Sequence, residues 1–485
     1  MDYQRLRFRP VDKARPALLL LLLVMGCATK RPPDAASVPS PLAADNFAQL
    51  IRHGCYHCLE QAFADAESRQ APTHAFEAAA LLVLRSKELG LPTEPWLGRA
   101  RALAGDDGSL SPHLAMVEAI PPHPMSDDRD ALFDVRRRTE ARTSMTAWRE
   151  LLRSGPGSDV FRMYLDVALI CGFGTLKQDE QSFTGQLDED ARAPIYQYRV
   201  GICDSAHRSR LSALRAGDSA FVEADFALGR YALEDPINPD QEEALRRLTS
   251  ASTAFPRSPV IAVTIGNVYR RWEEWADALK AYDAAIAVSP NHPEALIGRA
   301  ISLSRLDRSP EAIATATQVI DAGQWHLGEA YYWRGWNLLR LEEHDRARAD
   351  ADRAKTLMAN AAVFVLSGVI EWRLRRLETA EQEFQSAIAI DLGVCEAALD
   401  LGVVRDERRK PAEARAAFQQ ARQCYDLSIA LRREAIARVQ AGPGTDTAKA
   451  RDTARHQRVL TEFEARRDEA LRAIAVLDAA LSGAQ

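Results

Sequence analysis

The chain has 485 residues, a formal net charge of −6 and a composition that is 47% hydrophobic and 27% charged. This composition is typical of a soluble, folded protein, and the length suffices for two or three domains or for one long repeat array. The mildly acidic charge argues against nucleic acid as a partner. Ala, Leu, Arg and Glu are abundant and β-branched residues are sparse, which predicts an all-α fold.

Residues 1–26 contain a basic segment followed by an apolar run, as an export signal does. Five basic and two acidic side chains precede the run Leu18–Met25, which is shorter than the roughly 20 residues that a membrane-spanning helix needs. The run ends in LLVMGCATK, which resembles a bacterial lipobox. The resemblance implies cleavage before Cys27 and anchoring of the mature chain by acyl chains on that cysteine. The alternative is an ordinary secretory peptide in which Cys27 occurs by chance.

The residues after Cys27 predict where the protein lies and how it is tethered. Ala28 stands where an aspartate commonly retains lipoproteins at the inner membrane, so we expect the outer membrane of the cell envelope, with the protein facing the periplasm. Residues 27–45 are rich in Pro, Ser and Ala and have no apolar period. This composition predicts a flexible tether between the lipid and the folded part.

Residues 46–215 are expected to form a helical region. Apolar residues recur there at three- and four-residue spacing, and these segments could be degenerate forms of the repeats described below. Helices are also expected over 131–152 and 159–171. The polar, glycine-containing stretch over 174–194 is expected to be a long loop.

The motif CYHC, formed by Cys55 to Cys58, lies within this region. A c-type haem site needs a histidine directly after the second cysteine, whereas Leu59 stands there and His57 lies inside the motif. A thioredoxin-like redox pair would need a strand-to-helix context, which the helical pattern does not provide. Structural pairing is therefore expected. Zinc binding with outside ligands stays open, although no second CxxC or HxxxH completes a set, and we predict no metal.

Internal repetition is the strongest signal in the chain, over residues 222–426. In IGNVYRRWEEWADALKAYDAAIAVSPNHPEAL, Gly266 is followed at fixed spacing by Ala278, Tyr282, Ala285 and Pro290. The spacing resembles the tetratricopeptide repeat, a helix-turn-helix unit of about 34 residues. It returns at steps of 34, 35, 33 and 34 residues, in units that contain Ala300, Gly335, Gly368 and Gly402, and a more divergent unit around Gly229 precedes them.

The resemblance implies a right-handed α-solenoid of about six helix-turn-helix units. Small residues let the two helices of a unit approach closely, and a bulky residue four positions after the alanine of the second helix fills the space between units. Two units depart from this pattern, with Ala316 and Ala351 in place of the bulky residue. Residues 427–485 are predicted to be C-terminal capping helices. Their last helix, over 448–481, could fold back onto the array.

In the family, the first helices of successive units line a concave groove that binds peptides or protein segments. In the stretch YYWRGW, Tyr331 and Gly335 are expected at packing positions instead. The carboxylate clamp of the family is not reproduced, because Val263 and Gly298 stand where polar or basic residues would be expected. Helical phase predicts that the groove is lined by Val263, Asn267, Ile297, Ile301, Tyr332, Trp333, Trp336, Val365, Val369, Trp372 and Leu399.

One arginine per unit lies near the C-terminal end of a predicted first helix: Arg271, Arg305, Arg340 and Arg373. Two interpretations remain open. The arginines could compensate the helix dipole and pair with neighbouring carboxylates. Alternatively, they could form a row of cations that binds an acidic ligand or a C-terminal carboxylate.

The cysteines other than Cys27 are expected to pair in an oxidising compartment. Cys395 begins the first helix of the last clear unit, and Cys424 lies near the end of its antiparallel second helix. We therefore predict a disulfide between them. A second disulfide is predicted between Cys171 and Cys203.

No catalytic signature and no cofactor site is recognisable in the sequence, so we do not expect an enzyme. The predicted function is that of a membrane-tethered scaffold that binds a peptide or protein partner in the cell envelope. The alternative is a glycan-binding lipoprotein resembling the SusD group, which also combines a lipid anchor, tetratricopeptide helices and exposed aromatic residues. That group interrupts its repeats with long inserts, whereas the repeats here are almost in tandem.

Overall fold

The structure, a computed structural model, describes residues 46–105, 108–120, 148, 150–152, 156–173, 193–203, 208–235, 240–323, 325–442 and 444–482. These residues form helices and contain no strand, which confirms the predicted all-α class. The segment with Cys27, the tether, most of the helix expected over 131–152 and most of the loop expected over 174–194 lie outside the described residues. Within the described part, every helix is too short or too polar to cross a membrane.

The N-terminal region is organised around one helix that is buried on all sides. This helix is α3, in which the run Ala78–Val83 is fully buried, and a helix that is apolar all round is expected at such a central position. The helices of the region are α1 (Asn46–His53), α2 (Tyr56–Ser68), α3 (Pro72–Leu89), α4 (Glu94–Ala104), α5 (Ser111–Ala119), α6 (Asp159–Phe173), α7 (Pro194–Cys203) and α8 (Arg208–Gly217).

A buried polar cluster joins this region to the repeat array. The guanidinium of Arg85, which is fully buried, donates hydrogen bonds to Glu88 at 3.1 Å and to Glu223. It also lies 3.5 Å from the ring centroid of Tyr198, and the hydroxyl of Tyr164 donates to Glu88 at 2.6 Å. Buried charges are tolerated only when paired in this way. Because Glu223 precedes the first unit, the cluster fixes the start of the array against α3.

Six antiparallel helix pairs follow. Each pair consists of a first helix and a second helix, and a short turn joins them in the last five pairs, as the repeat spacing predicts. In chain order the pairs are α9 (Ala224–Glu234) with α10 (Gln241–Ala254), α11 (Pro259–Arg271) with α12 (Trp275–Val288), α13 (Pro293–Arg305) with α14 (Ser309–Ala322), α15 (Leu327–Arg340) with α16 (His344–Leu357), α17 (Ala361–Arg373) with α18 (Leu377–Ile390), and α19 (Cys395–Glu407) with α20 (Pro411–Ala441).

The turns within these pairs repeat one backbone geometry. In five of them a single non-glycine residue has a φ between 57° and 62°. The same geometry occurs at Gln70, with a φ of 53°, between α2 and α3. This left-handed conformation lets the chain reverse within three or four residues. The five repeat turns are centred on Glu273, Asp307, Glu342, Arg375 and Arg409.

The last helix returns along the array. Helix α21 (Asp446–Ser482) packs antiparallel to α20, where Arg433 donates to Glu464 at 2.7 Å. At its other end, the guanidinium of Arg451 lies 4.1 Å from the ring centroid of Trp272, at the turn of the second unit. Because α20 has 31 residues, it is about 46 Å long. The C-terminal hairpin thus extends from the last unit back to the first two, because Thr445 also donates to Glu242 of α10 at 2.9 Å.

Candidate functional site

Most of the apolar residues predicted to line the groove are buried. They fill the contacts between neighbouring helices rather than an open surface: Val263, Ile297, Ile301, Val365, Val369, Trp372 and Leu399. Trp372, for example, is 3% exposed and donates its indole N–H to Glu407 of the next unit at 3.1 Å. The seven buried side chains, including Val369 and Trp372, are therefore not accessible to a ligand. Helical phase indicates which way a side chain points, but not how closely the next unit covers it.

Asn267 is also occupied by the protein itself. Its amide nitrogen donates to Glu294 of the next unit at 2.8 Å, and its amide oxygen accepts the Tyr282 hydroxyl at 2.7 Å. Both ends of the amide are therefore engaged, one within the unit and one between units. This residue links α11 to both α12 and α13, so its amide is used by the fold of the array itself.

Two of the four repeat arginines cap the preceding unit. Arg271 donates to the carbonyl of Leu233 at 2.6 Å, and Arg340 donates to the carbonyl of Ser304 at 2.5 Å. Both carbonyls lie in the last turn of the preceding first helix, where no intrahelical donor remains. Burial lowers the pKa of both guanidinium groups. Arg373, at the equivalent position of α17, is half-buried and also engaged.

Arg305 differs from the other arginines because it is exposed between two tryptophans. Its guanidinium carbon lies 5.5 Å from the ring centroid of Trp275 and 5.4 Å from that of Trp333, within the range of cation–π attraction. Both indoles pack against the apolar cluster that contains Ile297 and Ile301, and this packing restricts their positions. Within the described part of the chain, no carboxylate lies within ion-pair distance of Arg305.

Tyr332 and Trp336 extend this surface along α15. The ring centroid of Tyr332 lies 5.3 Å from that of Trp333 and 6.4 Å from that of Trp336, with the rings nearly perpendicular in both pairs. Burial and, to a smaller extent, the Glu396 charge raise the pKa of Tyr332, against the opposing effects of Trp336 and the Arg305 charge. The hydroxyl is therefore protonated at neutral pH. We call Trp275, Arg305, Tyr332, Trp333 and Trp336 the aromatic–arginine surface.

The neighbouring residues of the YYWRGW stretch show one departure from the expected pattern. Gly335 is buried, as expected, but Tyr331 is only half-buried and lies under the guanidinium of Arg334, 5.4 Å from ring centroid to carbon. Trp275 was missed by sequence reasoning because it begins a second helix, and only first helices were assigned to the groove. The sequence feature that distinguishes Trp275 is its aromatic side chain at the first position of a second helix. The equivalent positions of the next units are Ser309, His344, Leu377 and Pro411.

Three disulfides join the cysteines of the described residues. Two of them are the pairs predicted from the sequence, Cys171–Cys203 and Cys395–Cys424, with Cα atoms 5.6 Å and 5.3 Å apart. The third links Cys55 to Cys58. His53 lies beside the latter pair, and its ring and the two sulfurs are the one cluster of three metal-binding side chains in the described part. Three groups fall short of the four that a structural zinc site uses, and the two sulfurs are already bonded to each other.

Residues 263–325 match the family model of the tetratricopeptide repeat. The fold is similar to that of YrrB, a TPR protein with an unusual peptide-binding site, at 21% identity and a TM-score of 0.31 over 36% of this chain and 91% of that one. It is also similar to PilW, a type IV pilus biogenesis factor, at 15% identity and a TM-score of 0.38 over 41% and 92% of the two chains. A tetratricopeptide repeat protein from Parabacteroides merdae matches at 14% identity and a TM-score of 0.39 over 48% and 91%. No curated protein gives a significant match.

Proposed function

We propose that this chain, whose array is built from tetratricopeptide repeats, is a scaffold that binds an acidic or carboxylate-terminated protein segment at its aromatic–arginine surface. Arrays of this family bind protein or peptide partners and are generally not catalytic. One observation supports the choice of site above the others. Arg305 is an exposed guanidinium, fixed between Trp275 and Trp333, that has no carboxylate partner among the described residues.

The geometry suits a carboxylate ligand. A guanidinium offers N–H groups in a planar fork that binds both oxygens of a carboxylate. The indoles restrict the rotamers of Arg305 before a ligand arrives, so that binding costs less side-chain entropy. Tyr332 and Trp336 present half-buried aromatic surface beside the charge, where an apolar side chain of the partner would be covered. An anion next to aromatic anchors is the arrangement expected at the energetic centre of an interface.

We further propose that the protein works at the cell envelope, anchored through Cys27 to the outer membrane and facing the periplasm. The lipobox-like sequence and the tether of residues 27–45 support this location. Labelling of cells with a palmitate analogue should mark the wild-type chain. The Cys27→Ser variant should remain unlabelled and separate from the membrane fraction. Equal membrane association of both chains would contradict the lipid anchor.

The binding surface can be tested with peptides that end in a free or an amidated C-terminus, drawn from envelope proteins of the host. Removing the charge in Arg305→Gln should weaken binding of the free-acid peptides about 10- to 100-fold, the range expected for hydrogen bonds to a charged group. Arg308→Gln is the matched control, because this exposed arginine of the same unit is paired with Glu311 at 2.6 Å. Equal loss in both variants, or none in Arg305→Gln, would contradict the site.

Crosslinking in cells, with a photoreactive residue in place of Trp336, identifies the protein that occupies the aromatic–arginine surface. We expect crosslinks to another envelope protein that disappear in Arg305→Gln and persist in Arg308→Gln. Crosslinks that reach only α21 of the same chain would show that the surface is covered by the protein itself. Binding to a glycan array without a protein partner would favour the carbohydrate-binding alternative.

A further inference from the structure

The two cysteines of the CYHC motif have different surroundings. Cys55 is the N-cap residue of α2 and is 2% exposed, and its sulfur accepts the backbone N–H of Cys58 at 3.1 Å. Cys58, one turn further along the helix, is half-buried. A thiolate at an N-cap is stabilised by the helix dipole and by the N–H groups of the first turn. Cys55 is therefore the better leaving group, and Cys58 is the sulfur that a reagent can reach.

A histidine lies beside the accessible sulfur, that of Cys58, and an aspartate lies on the other side of the histidine. Nδ1 of His53 lies 3.0 Å from Sγ of Cys58, and Nε2 lies 2.5 Å from a carboxylate oxygen of Asp218. A carboxylate only accepts, so Nε2 donates to Asp218 and the lone pair of a neutral ring is at Nδ1, towards the sulfur. The ring also stacks on Phe221, with centroids 5.2 Å apart, which fixes its plane.

We propose that Cys55 and Cys58 are a thiol–disulfide exchange pair, in which Cys58 reacts with a disulfide or thiol of a partner protein or small molecule, His53 accepts and returns the proton, and Asp218 positions His53. Asp218 lies 165 residues from His53 in the sequence, directly after α8, so only the folded chain assembles the group. This activity goes beyond the scaffold function and beyond the structural pairing expected from the sequence.

The reaction balances without another reagent. In the reduced form, the Cys58 thiol gives its proton to Nδ1 of His53, and its sulfur attacks one sulfur of the partner disulfide. The partner's S–S bond breaks, and its second sulfur leaves as a thiolate that takes the proton from His53. Cys55 then attacks the sulfur of Cys58 in the mixed disulfide, the bond between Cys58 and the partner breaks, and the departing partner sulfur takes up the proton that the Cys55 thiol loses. The protein dithiol is oxidised to a disulfide, and the partner disulfide is reduced to two thiols; the reverse sequence oxidises a partner dithiol.

The Cys395–Cys424 disulfide lacks this arrangement and provides an internal comparison. The sulfur of Cys395 lies 3.5 Å from the hydroxyl of Ser428, and that of Cys424 lies 3.4 Å from the carbonyl of Leu392. Neither a hydroxyl nor a carbonyl takes up a proton near neutral pH. Two disulfides of one chain thus differ in a neighbouring base, which raises the thiolate fraction and so favours thiol–disulfide exchange.

The experiment uses the full-length purified protein, reduced and then mixed with oxidised glutathione, with peptide mapping of each disulfide over time. We expect Cys55–Cys58 to reoxidise well before Cys395–Cys424. His53→Gln should slow reoxidation of Cys55–Cys58 about three- to tenfold at neutral pH. The effect is moderate because the histidine raises the thiolate fraction of Cys58 but lowers the nucleophilicity of that thiolate. His57→Gln is the matched control, because this exposed histidine lies within the motif but contacts Glu60 and Gln61. It should react like the wild type.

Two further variants distinguish the roles. In Cys55→Ser, the mixed disulfide should accumulate with glutathione on Cys58. In Asp218→Asn, the pH at which the rate reaches half its maximum should rise, while the folded structure by circular dichroism is retained. Charged groups at neighbouring positions include Glu223, which accepts the Tyr56 backbone N–H at 2.9 Å and pairs with the buried Arg85, and His57 and Glu60 on α2.

Several results would overturn the proposal. One is that His53→Gln and His57→Gln react alike, or that Cys55–Cys58 reoxidises no faster than Cys395–Cys424. Another is that glutathione is found on Cys55 rather than on Cys58. Stoichiometric binding of zinc by the reduced protein, with exchange blocked in the presence of the metal, would assign the cluster to metal binding instead.

Discussion

At the residue scale, the array depends on aromatic rings placed against glycines. A Cβ atom added at Gly298 would lie 2.4 Å from the ring of Tyr282, and one added at Gly266 would lie 2.7 Å from the same ring. The ring therefore occupies the space between α11 and α13, and its hydroxyl is fixed on Asn267. A side chain held on both sides cannot move aside to accommodate a new methyl group.

Gly298→Ala should therefore destabilise the protein by about 1–3 kcal/mol through overpacking, even though alanine favours the helix by about 1 kcal/mol. The measurement is the urea-induced unfolding transition followed by circular dichroism. The control is Gly98→Ala in α4, where a Cβ would meet no atom within 4 Å. That substitution should leave stability unchanged or raise it. A destabilised Gly98→Ala with an unaffected Gly298→Ala would contradict this account of the packing.

At the scale of helices, single carboxylates fix several elements at once. Asp225 of α9 is 2% exposed and accepts a hydrogen bond from Arg215, in the last turn of α8, at 3.0 Å. It also accepts hydrogen bonds from Arg247 and Ser250 of α10, both at 2.7 Å. Burial raises the pKa of this carboxyl, but the three donors outweigh burial and hold the pKa below its ordinary value. The ionised carboxylate thus stabilises the junction between the N-terminal region and the array.

The sign of this effect predicts a pH dependence. Because the pKa of Asp225 is lowered by folding, its contribution is fully present above the unfolded-state pKa of about 3.9 and is lost as the pH falls through the lower, folded-state value. Asp225→Asn should cost about 3 kcal/mol at pH 7, and the difference from the wild type should shrink below pH 4. Unfolding transitions across this pH range measure it.

Asp283→Asn is the comparison for that measurement. Asp283 is an exposed residue of α12 that accepts a hydrogen bond from Arg299 at 2.7 Å. Exposed pairs contribute less than about 1 kcal/mol. A cost for Asp225→Asn that is no larger than this, or that stays constant from pH 7 to pH 3, would show that the carboxylate is not what fixes the junction.

At the scale of the whole molecule, the C-terminal hairpin connects units that are far apart in the sequence. Besides its contact with Trp272, Arg451 lies 3.3 Å from a carboxylate oxygen of Glu274, and Arg455 donates to the carbonyl of Arg271 at 2.5 Å. These polar contacts lie on the turn of the second unit. They bury little apolar surface, so the N-terminal half of α21 should open more readily than the half packed on α20.

Arg451→Ala removes the stacking on Trp272 together with the ion pairs to Glu274 and Glu242. We expect faster hydrogen–deuterium exchange in residues 446–458 and around Trp272, with little change over residues 459–482 and a loss of global stability of about 1 kcal/mol or less. Arg458→Ala is the control, since this side chain is 62% exposed and lies 3.6 Å from Glu273. Exchange that is equal in both variants would show that the Arg451 contact does not hold the hairpin.

Much of the fold follows from local pattern. The spacing of small and bulky residues from Gly229 onwards predicts the helix pairs, because each unit repeats the same short-range packing requirement. The last helix is predicted over residues 448–481, and both predicted ends lie within about two residues of the ends of α21. The N-terminal region is less legible because α3 is buried on all sides, which removes the amphipathic period from which a helix face is read.

The candidate site was only partly predictable. Arg305, Tyr332, Trp333 and Trp336 were placed on one surface by helical phase, but Arg271 and Arg340 look the same in the sequence and cap carbonyls in the structure. What separates these arginines is the position of a neighbouring carbonyl or indole, which depends on how one unit is stacked on the next. The stacking of units also brings Trp275, from a second helix, into the aromatic–arginine surface.

The sequence by itself determined the helices and their pairing into repeats, because these depend on residues within about 35 positions of each other. Only the tertiary structure decided which groove positions are closed, which arginine is open, and that His53, Cys58 and Asp218 meet. Those outcomes depend on atoms brought together across α1, α2 and the end of α8, or across successive units. Distances of a few ångströms between such elements are set by the packing of the whole chain, and no local spacing records them.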